Sequence, residues 1–250
     1  MSSFQLANWN LDGYGRGAST RLHRQLEVLD ALRADVLVLT EVRDTTRVPS
    51  MSLWWSDEGK EPYSPQDRAV GIASRWPGEN LAVRDSRLSV CVMFDAPSMG
   101  PVIVYGTVIP YAQDGVRQKA AKTWERHRQA VSDLVWDVNA LRSNPAHRDA
   151  YIVLAGDFNT NLDGTRWYGD PQSRATLVEG LTRAGLHCHT LENIRVTRQS
   201  DRAIVDHVWT STNLYAPEPL KIWCDREEPG RLSDHNGVAI QLAKRNLKIE

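Results

Sequence analysis

Cysteine is scarce in this chain of 250 residues: Cys91, Cys188 and Cys224 are an odd three at wide spacing. That count excludes a disulfide framework and a cysteine-based zinc site, and it reads as reduced, buried thiols in a cytoplasmic protein. A surplus of either charge is lacking too, with 30 basic against 31 acidic side chains and a net charge of −1. Proteins that coat nucleic acid are usually basic, so any polyanion here must be met locally. No apolar run approaches the length of a membrane span. The opening MSSFQLANWN has neither the charged start nor the apolar stretch of a secretion signal. Repeats, low-complexity tracts and linkers are missing as well. What remains is an ordinary globular balance, 41% hydrophobic and 24% charged, enough to fill the core of one large α/β domain. Residues 1–250 read as that single domain. Tryptophan is plentiful, with nine; most are expected inside, with Trp54 and Trp55 the exceptions.

Phe4, Leu6, Asn8 and Asn10 fall on one face of an opening strand. Asp12-Gly13 and the glycines at 15 and 17 follow as a loop. Leu22, Leu26, Leu29 and Leu32 have helical spacing, with Arg21, Arg24, Glu27 and Arg33 toward water. Val36 to Leu39 is an apolar run of the kind covered on both faces, and it delivers Thr40 and Glu41. Arg43 to Asp67 reads as one long polar loop. Ala69 to Ser74, Leu88 to Phe94 and Val102 to Val108 read as consecutive strands in antiparallel pairing. Val116 to Leu141 has helical spacing and a basic start, with Arg117, Lys119, Lys122, Arg126 and Arg128. A helix near Ala175 to Ala184 ends at Gly185, in the C-cap position. Short strands near Cys188, Ile204 to Thr210, Leu220 to Trp223 and Gly237 to Leu242 finish the chain.

The central stretch is Tyr151 to Asn161, YIVLAGDFNTN. A short apolar strand meets Ala155-Gly156, where the backbone can turn tightly, and releases Asp157, Phe158 and Asn159 at its carboxyl end. Ligands of open α/β sheets bind at that end. If the extended backbone continues, the carboxylate and the carboxamide point the same way. Together they can take a proton, orient a water and donate a hydrogen bond, which suits hydrolysis of an anionic ester. A plain turn is the other reading, since Asp, Asn and Gly all favour turns. The same placement recurs along the chain. Asn10, Glu41, Asp157 with Asn159, Asp206 and Ser233-Asp234-His235-Asn236 each adjoin an apolar strand. Crowded buried carboxylates persist mainly when a cation or proton neutralises them.

With these motifs in this order, the sequence resembles the endonuclease/exonuclease/phosphatase superfamily over nearly its whole length. The marks are NWNLDG (Asn8 to Gly13), LTEV (Leu39 to Val42), AVGIASRWP (Ala69 to Pro77), YGTVIPY (Tyr105 to Tyr111), LAGDFNT (Leu154 to Thr160), VDHVWTS (Val205 to Ser211) and SDHNGV (Ser233 to Val238). The resemblance implies a four-layer α/β sandwich, two facing mixed sheets flanked by helices. It also implies a Mg²⁺-dependent phosphoester hydrolase, with Mn²⁺ as the other metal. By position, Glu41 resembles the metal-ligating glutamate, with Asn10 beside it and Asp12 and Asp234 as further metal-site residues. Asp157 resembles the residue that activates or orients the attacking water, Asn159 the one that binds the scissile phosphate. His235 would contact phosphate oxygens, held by Asp206, with His207 and Asn8 behind them. The chain departs from the pattern at Thr107, Val108 and Ile109, where many members place a His or Tyr before the proline; Tyr111 lies just past it.

A nuclease is the favoured reading, with DNA ahead of RNA. A phosphatase or phosphodiesterase of a small molecule or lipid headgroup is the second, and a non-catalytic binding module on the same fold the third. Arg117 and Lys119, and Arg16, Arg21, His23 and Arg24 after the first strand, could grip phosphates or be solvated helix faces. Trp54 and Trp55 could stack on bases or close a loop.

Overall fold

The computed structural model describes residues 2–14, 20–58, 64–97, 99–191, 203–223 and 231–245. Arg16 and Cys224 lie outside them. The first sheet takes β1 (Ser3–Asn10), β2 (Val36–Arg43), β3 (Ser52–Trp55) and β4 (Asp67–Ser74). The second takes β5 (Gly78–Leu81), β6 (Ser89–Ala96), β7 (Gly100–Val108), β8 (Tyr151–Asp157), β9 (Leu186–Cys188) and β10 (Asp206–Ser211). The chain then returns to the first sheet with β11 (Leu214–Tyr215), β12 (Lys221–Trp223) and β13 (Gly237–Lys244). The first sheet runs β11-β13-β1-β2-β4-β3, with β12 also on β13, and the second runs β5-β6-β7-β8-β10-β9. Each sheet holds one central parallel pair, β1 with β2 and β7 with β8, so both are mixed.

Alternation along each strand builds the layers. Val36 and Val38 point into the space between the sheets, where they meet Val70, Ile72, Val104, Val153 and Val208. Leu37 and Leu39 point outward onto helix α1 (Thr20–Ala31), with Trp9 and Leu29. In the second sheet Val153 and Ala155 face inward. Ile152 and Leu154 face helices α2 (Glu125–Ser143) and α3 (Pro171–Arg183). The result is the four-layer sandwich that the resemblance implies. Among the described residues no helix is long and apolar enough to cross a membrane. Cys91 and Cys188 are free and buried.

Four expectations need correction. The polar stretch from Arg43 to Asp67 contains β3, and Trp54 and Trp55 are half-buried within it. Trp54 packs edge-on against Phe94 at 5.3 Å, and Trp55 lies where a Cβ on Gly71 would come within 2.2 Å of its ring. Both rings pack in part against the core, Trp54 beside the inter-sheet cluster and Trp55 beside the outer one. The three consecutive strands divide between sheets, since β4 pairs with β2 and β3 while β6 pairs with β7. Helix α2 begins only at Glu125, because Lys119 (φ 54°) and Trp124 (φ 65°) are left-handed and residues before it form turns. Arg117 and Lys119 therefore stand exposed on a loop. At Ala155-Gly156 the strand does not turn; Gly156 allows close approach to β7, with φ of 148° and a would-be Cβ only 1.8 Å from the Thr107 carbonyl oxygen.

Candidate active site

Polar side chains replace apolar ones at the carboxyl ends of β1, β2 and β8, where the inter-sheet core opens. Asn10, at the end of β1 and fully buried, joins the two sheets. Its Nδ2 donates to Glu41 Oε1 and to Asp157 Oδ2, both at 3.1 Å. Behind it, Asn8 Nδ2 donates to the Gly156 carbonyl oxygen at 3.1 Å.

By alternation Glu41 would share the outer face with Leu37 and Leu39. A left-handed φ of 50° breaks that alternation and brings its carboxylate to Asn10. The strained backbone is held by Gly13, whose N–H donates to the Glu41 carbonyl oxygen at 2.8 Å. A Cβ on Gly13 would sit 2.5 Å from that oxygen. Asp12 and Asn159 are left-handed too, at φ of 48° and 44°, so the extended backbone does not continue through Asp157 and Asn159. A turn brings the two together instead. The Asn159 N–H donates to Asp157 Oδ1 at 2.8 Å, and its Nδ2 donates to the Ile109 carbonyl oxygen at 3.0 Å. Non-glycine residues in this region cost on the order of 1 kcal/mol each and gather at functional sites.

His235 closes the cluster. Its Nδ1 lies 2.7 Å from Asp206 Oδ2 and its Nε2 lies 3.8 Å from Asp157 Oδ2. Asp157 and Asp206 are 1% exposed and His235 is 16% exposed. Burial opposes the imidazolium, yet Asp206 above all, then Asp157 and Glu41, push His235 up to about 10. Burial pushes Asp157 up to about 7, against the pull of His235. Burial also raises Glu41, with Asn10 and His235 opposing. A proton on His235 and an uncharged Asp157 or Glu41 are two ways to relieve one crowded acidic site.

The donors fit a hard divalent cation. Oxygens dominate, and the Asp206 Oδ1 is buried without a hydrogen-bond partner among the described residues. Ligand atoms of Asp157, Asp206 and His235 also lie within 4.8 Å of one another, but the proton that Asp206 keeps on His235 leaves its ring no lone pair for a metal. Such ions are satisfied by one or two carboxylates plus water and substrate oxygen. Asp12 and Asp234 are more exposed: Asp12 pairs with Arg21 at 2.7 Å, Asp234 with Arg231 at 3.4 Å. Arg21 also donates to the Asp12 and Leu11 carbonyl oxygens, so it braces the loop after β1 and does not reach outward for phosphate. His23 faces water beside Glu27. Tyr111, Arg117 and Lys119 stand exposed on the loop after β7. His207 is buried, with Nε2 on the Thr160 carbonyl oxygen and Nδ1 on Thr190 Oγ1 at 2.8 and 2.7 Å. Burial lowers it to about 4, so it is a neutral brace.

Sequence reasoning missed several supports. Ser233 Oγ donates to the Asn10 carbonyl oxygen and accepts from the His235 N–H. Gln25 donates to the carbonyl oxygens of Leu11 and Leu232. Its signal was available, since a buried Gln at position 25 interrupts the apolar stripe of Leu22, Leu26 and Leu29. His127, on α2, bridges the Pro110 carbonyl oxygen and Thr160 Oγ1. Nothing in its own helix marks that role.

Solved structures share this architecture. The human Nocturnin catalytic domain with bound sulfate is 15% identical, with 97% of this chain and 94% of that one covered at a TM-score of 0.68. An AP endonuclease from Archaeoglobus fulgidus is 14% identical, covering 95% and 98% at 0.65. A 3′-5′ exonuclease from Neisseria meningitidis is 19% identical, covering 94% and 98% at 0.63. Identities this low establish the common fold alone. No curated protein matches the sequence. The family pattern itself runs through residues 7–235, from β1 to His235, and on that match the chain belongs to the Endonuclease/Exonuclease/phosphatase family.

Proposed function

We propose that this chain is a divalent-metal-dependent phosphodiesterase that cleaves nucleic acid, with DNA as the first substrate to test. The observation that carries the reading is Asn10, whose one amide nitrogen bonds Glu41 on its own sheet and Asp157 on the other. That bond sets a metal-binding carboxylate and a proton acceptor side by side. Likeness to an AP endonuclease and a 3′-5′ exonuclease supports a nuclease.

In this reading Glu41 and Asn10 hold Mg²⁺ or Mn²⁺, with Asp12 and Asp234 adding negative charge around it. Such an ion polarises a phosphoryl oxygen and stabilises the leaving oxygen. Asp157, pushed up to about 7, is poised near neutral pH to accept a proton from water as its oxygen bonds to phosphorus. Asn159 fixes the phosphate. His235, protonated and oriented by Asp206, presents Nε2–H to a phosphoryl oxygen where charge builds. Arg117 and Lys119 meet the flanking backbone. With a net charge of −1, that grip is local and its salt dependence shallow. The same near-neutral charge favours the second reading, a small phosphoester substrate.

The test is a panel of DNA, RNA, nucleotides and phosphoinositides with Mg²⁺ or Mn²⁺, in parent and Glu41→Gln proteins. DNA cleavage that chelator and Glu41→Gln both abolish is the expected result. Turnover of small phosphoesters alone would move the assignment to the second reading. Cleavage indifferent to chelator would overturn the metal assignment.

A further inference from the structure

Among the described residues, few large apolar side chains are exposed. Trp136 is one, and it lies beneath the Arg84 guanidinium at 3.9 Å. Tyr111 and Trp167, 46% and 61% exposed, stand instead on the two loops that flank Asn159. The loop after β7 carries Tyr111, and its Ile109 carbonyl oxygen takes the Asn159 amide. The loop after β8 carries Asn159 itself and, farther on, Trp167.

Tyr168 staples these loops together. Its hydroxyl accepts the Ala112 N–H at 3.3 Å, its ring lies 5.4 Å from Trp124, and Trp167 is 5.9 Å away. Arg174 secures the far side by donating to the Tyr168 and Asn161 carbonyl oxygens, both at 2.9 Å. Burial, and to a lesser degree nearby Asp157 and Tyr111, raise the Tyr168 phenol, and the Ala112 bond opposes them. Arg117, Lys119 and Arg166 are exposed on the same two loops.

Exposed aromatic faces on braced backbone, with cations beside them, are what single-stranded nucleic acid needs: rings for bases to stack on and charge for the strand. A phosphate-only substrate would leave the exposed faces of both rings in water. We propose that Tyr111 and Trp167, held by Tyr168, form a stacking platform for an unpaired nucleobase adjoining the scissile phosphate, which makes single-stranded nucleic acid the preferred substrate. The proposal rests on the phosphodiesterase reading for its orientation toward Asn159. A base inside a duplex offers only its edge to such a platform.

The test compares binding of a fluorescein-labelled oligothymidylate with an oligomer of equal length built from abasic tetrahydrofuran residues. Anisotropy is read with the full chain in EDTA, and hydrolysis of both oligomers separately in Mg²⁺. The parent should bind the thymidylate about tenfold tighter, the scale of one stacked base. Trp167→Ala and Tyr111→Ala should each remove most of that preference, and Trp167→Phe should retain it. Equal binding of the two oligomers by the parent, or a preference untouched by both alanine variants, overturns the platform. A parent that binds with the expected preference yet cleaves neither oligomer overturns the phosphodiesterase reading and leaves the platform standing.

Discussion

Replacing Asp206 with asparagine should uncouple His235 from its charge while leaving its position almost intact. In the parent, His235 is pushed up to about 10 from an ordinary 6.5, a preference for the imidazolium of about 5 kcal/mol. Burial works against that preference, so the neighbouring carboxylates must supply more than the net, and Asp206 is first among them. Asparagine keeps an oxygen for Nδ1–H but exchanges a charge-assisted hydrogen bond for a neutral one, a loss of about 1–2 kcal/mol. His235 should therefore titrate lower by about one unit or more. The sign carries through to stability. A histidine raised on folding stabilises fully below 6.5, and that stabilisation is lost as pH rises through about 10. In the variant the loss should be smaller and complete at lower pH. Proton NMR of the His235 ring in metal-free protein reads the titration directly. The pH–rate profile with Mg²⁺ should show its basic limb moving down with it. Activity should fall at least about tenfold, and Asp206→Asn with His235→Ala should be little worse than the poorer single variant, because the pair acts as a unit. An unchanged His235 titration, or fully additive losses, would refute the coupling.

Two further outcomes concern the frame around the site. Gly156→Ala should prevent folding or cost several kcal/mol in urea unfolding, since its Cβ would overlap the Thr107 carbonyl oxygen. Gly164→Ala, with φ of 82° and open space around it, should cost only about 1 kcal/mol, and equal losses would show that the β7–β8 approach is not the constraint. His207, buried and lowered to about 4, remains neutral where the unfolded chain takes a proton. Its share of stability should fall as pH drops from 6.5 toward 4, by up to about 3 kcal/mol, beside a like fall from half-buried His189, also lowered to about 4. His207→Gln should flatten that part of the profile, and an identical slope in the variant would remove His207 as its source.

The layers were legible because both sheets obey alternation. The run Val36 to Leu39 is apolar throughout, since one face meets the other sheet and one meets α1. What misled was punctuation. Trp54 and Trp55 sit in a polar stretch too short to show a strand, and only the pairing with β4 makes them one. Helical spacing ran on before Glu125, but the spacing of apolar residues carries no information about a left-handed backbone at Lys119 or Trp124.

The site shows the same division between chemistry and conformation. Residue type at strand ends identified Asn10, Glu41, Asp157, Asp206 and His235, which the fold brings into one cluster. How they meet was hidden, because it depends on breaking the rule that made the strands readable. Strict alternation would turn Glu41 toward α1, away from Asn10, and would carry Asn159 onward in an extended strand. Left-handed backbone at Glu41 and Asn159 instead turns Glu41 onto Asn10 and Asn159 back onto Asp157 and the Ile109 carbonyl. The surroundings that stabilise these conformations are themselves distant in sequence: Gly13 against the Glu41 carbonyl, Ile109 against the Asn159 amide, Ser233 against the Asn10 carbonyl. Strain of this kind survives only where packing over-determines it. Two sheets closing on each other supply that over-determination, so the sandwich creates the site's geometry as well as supporting it.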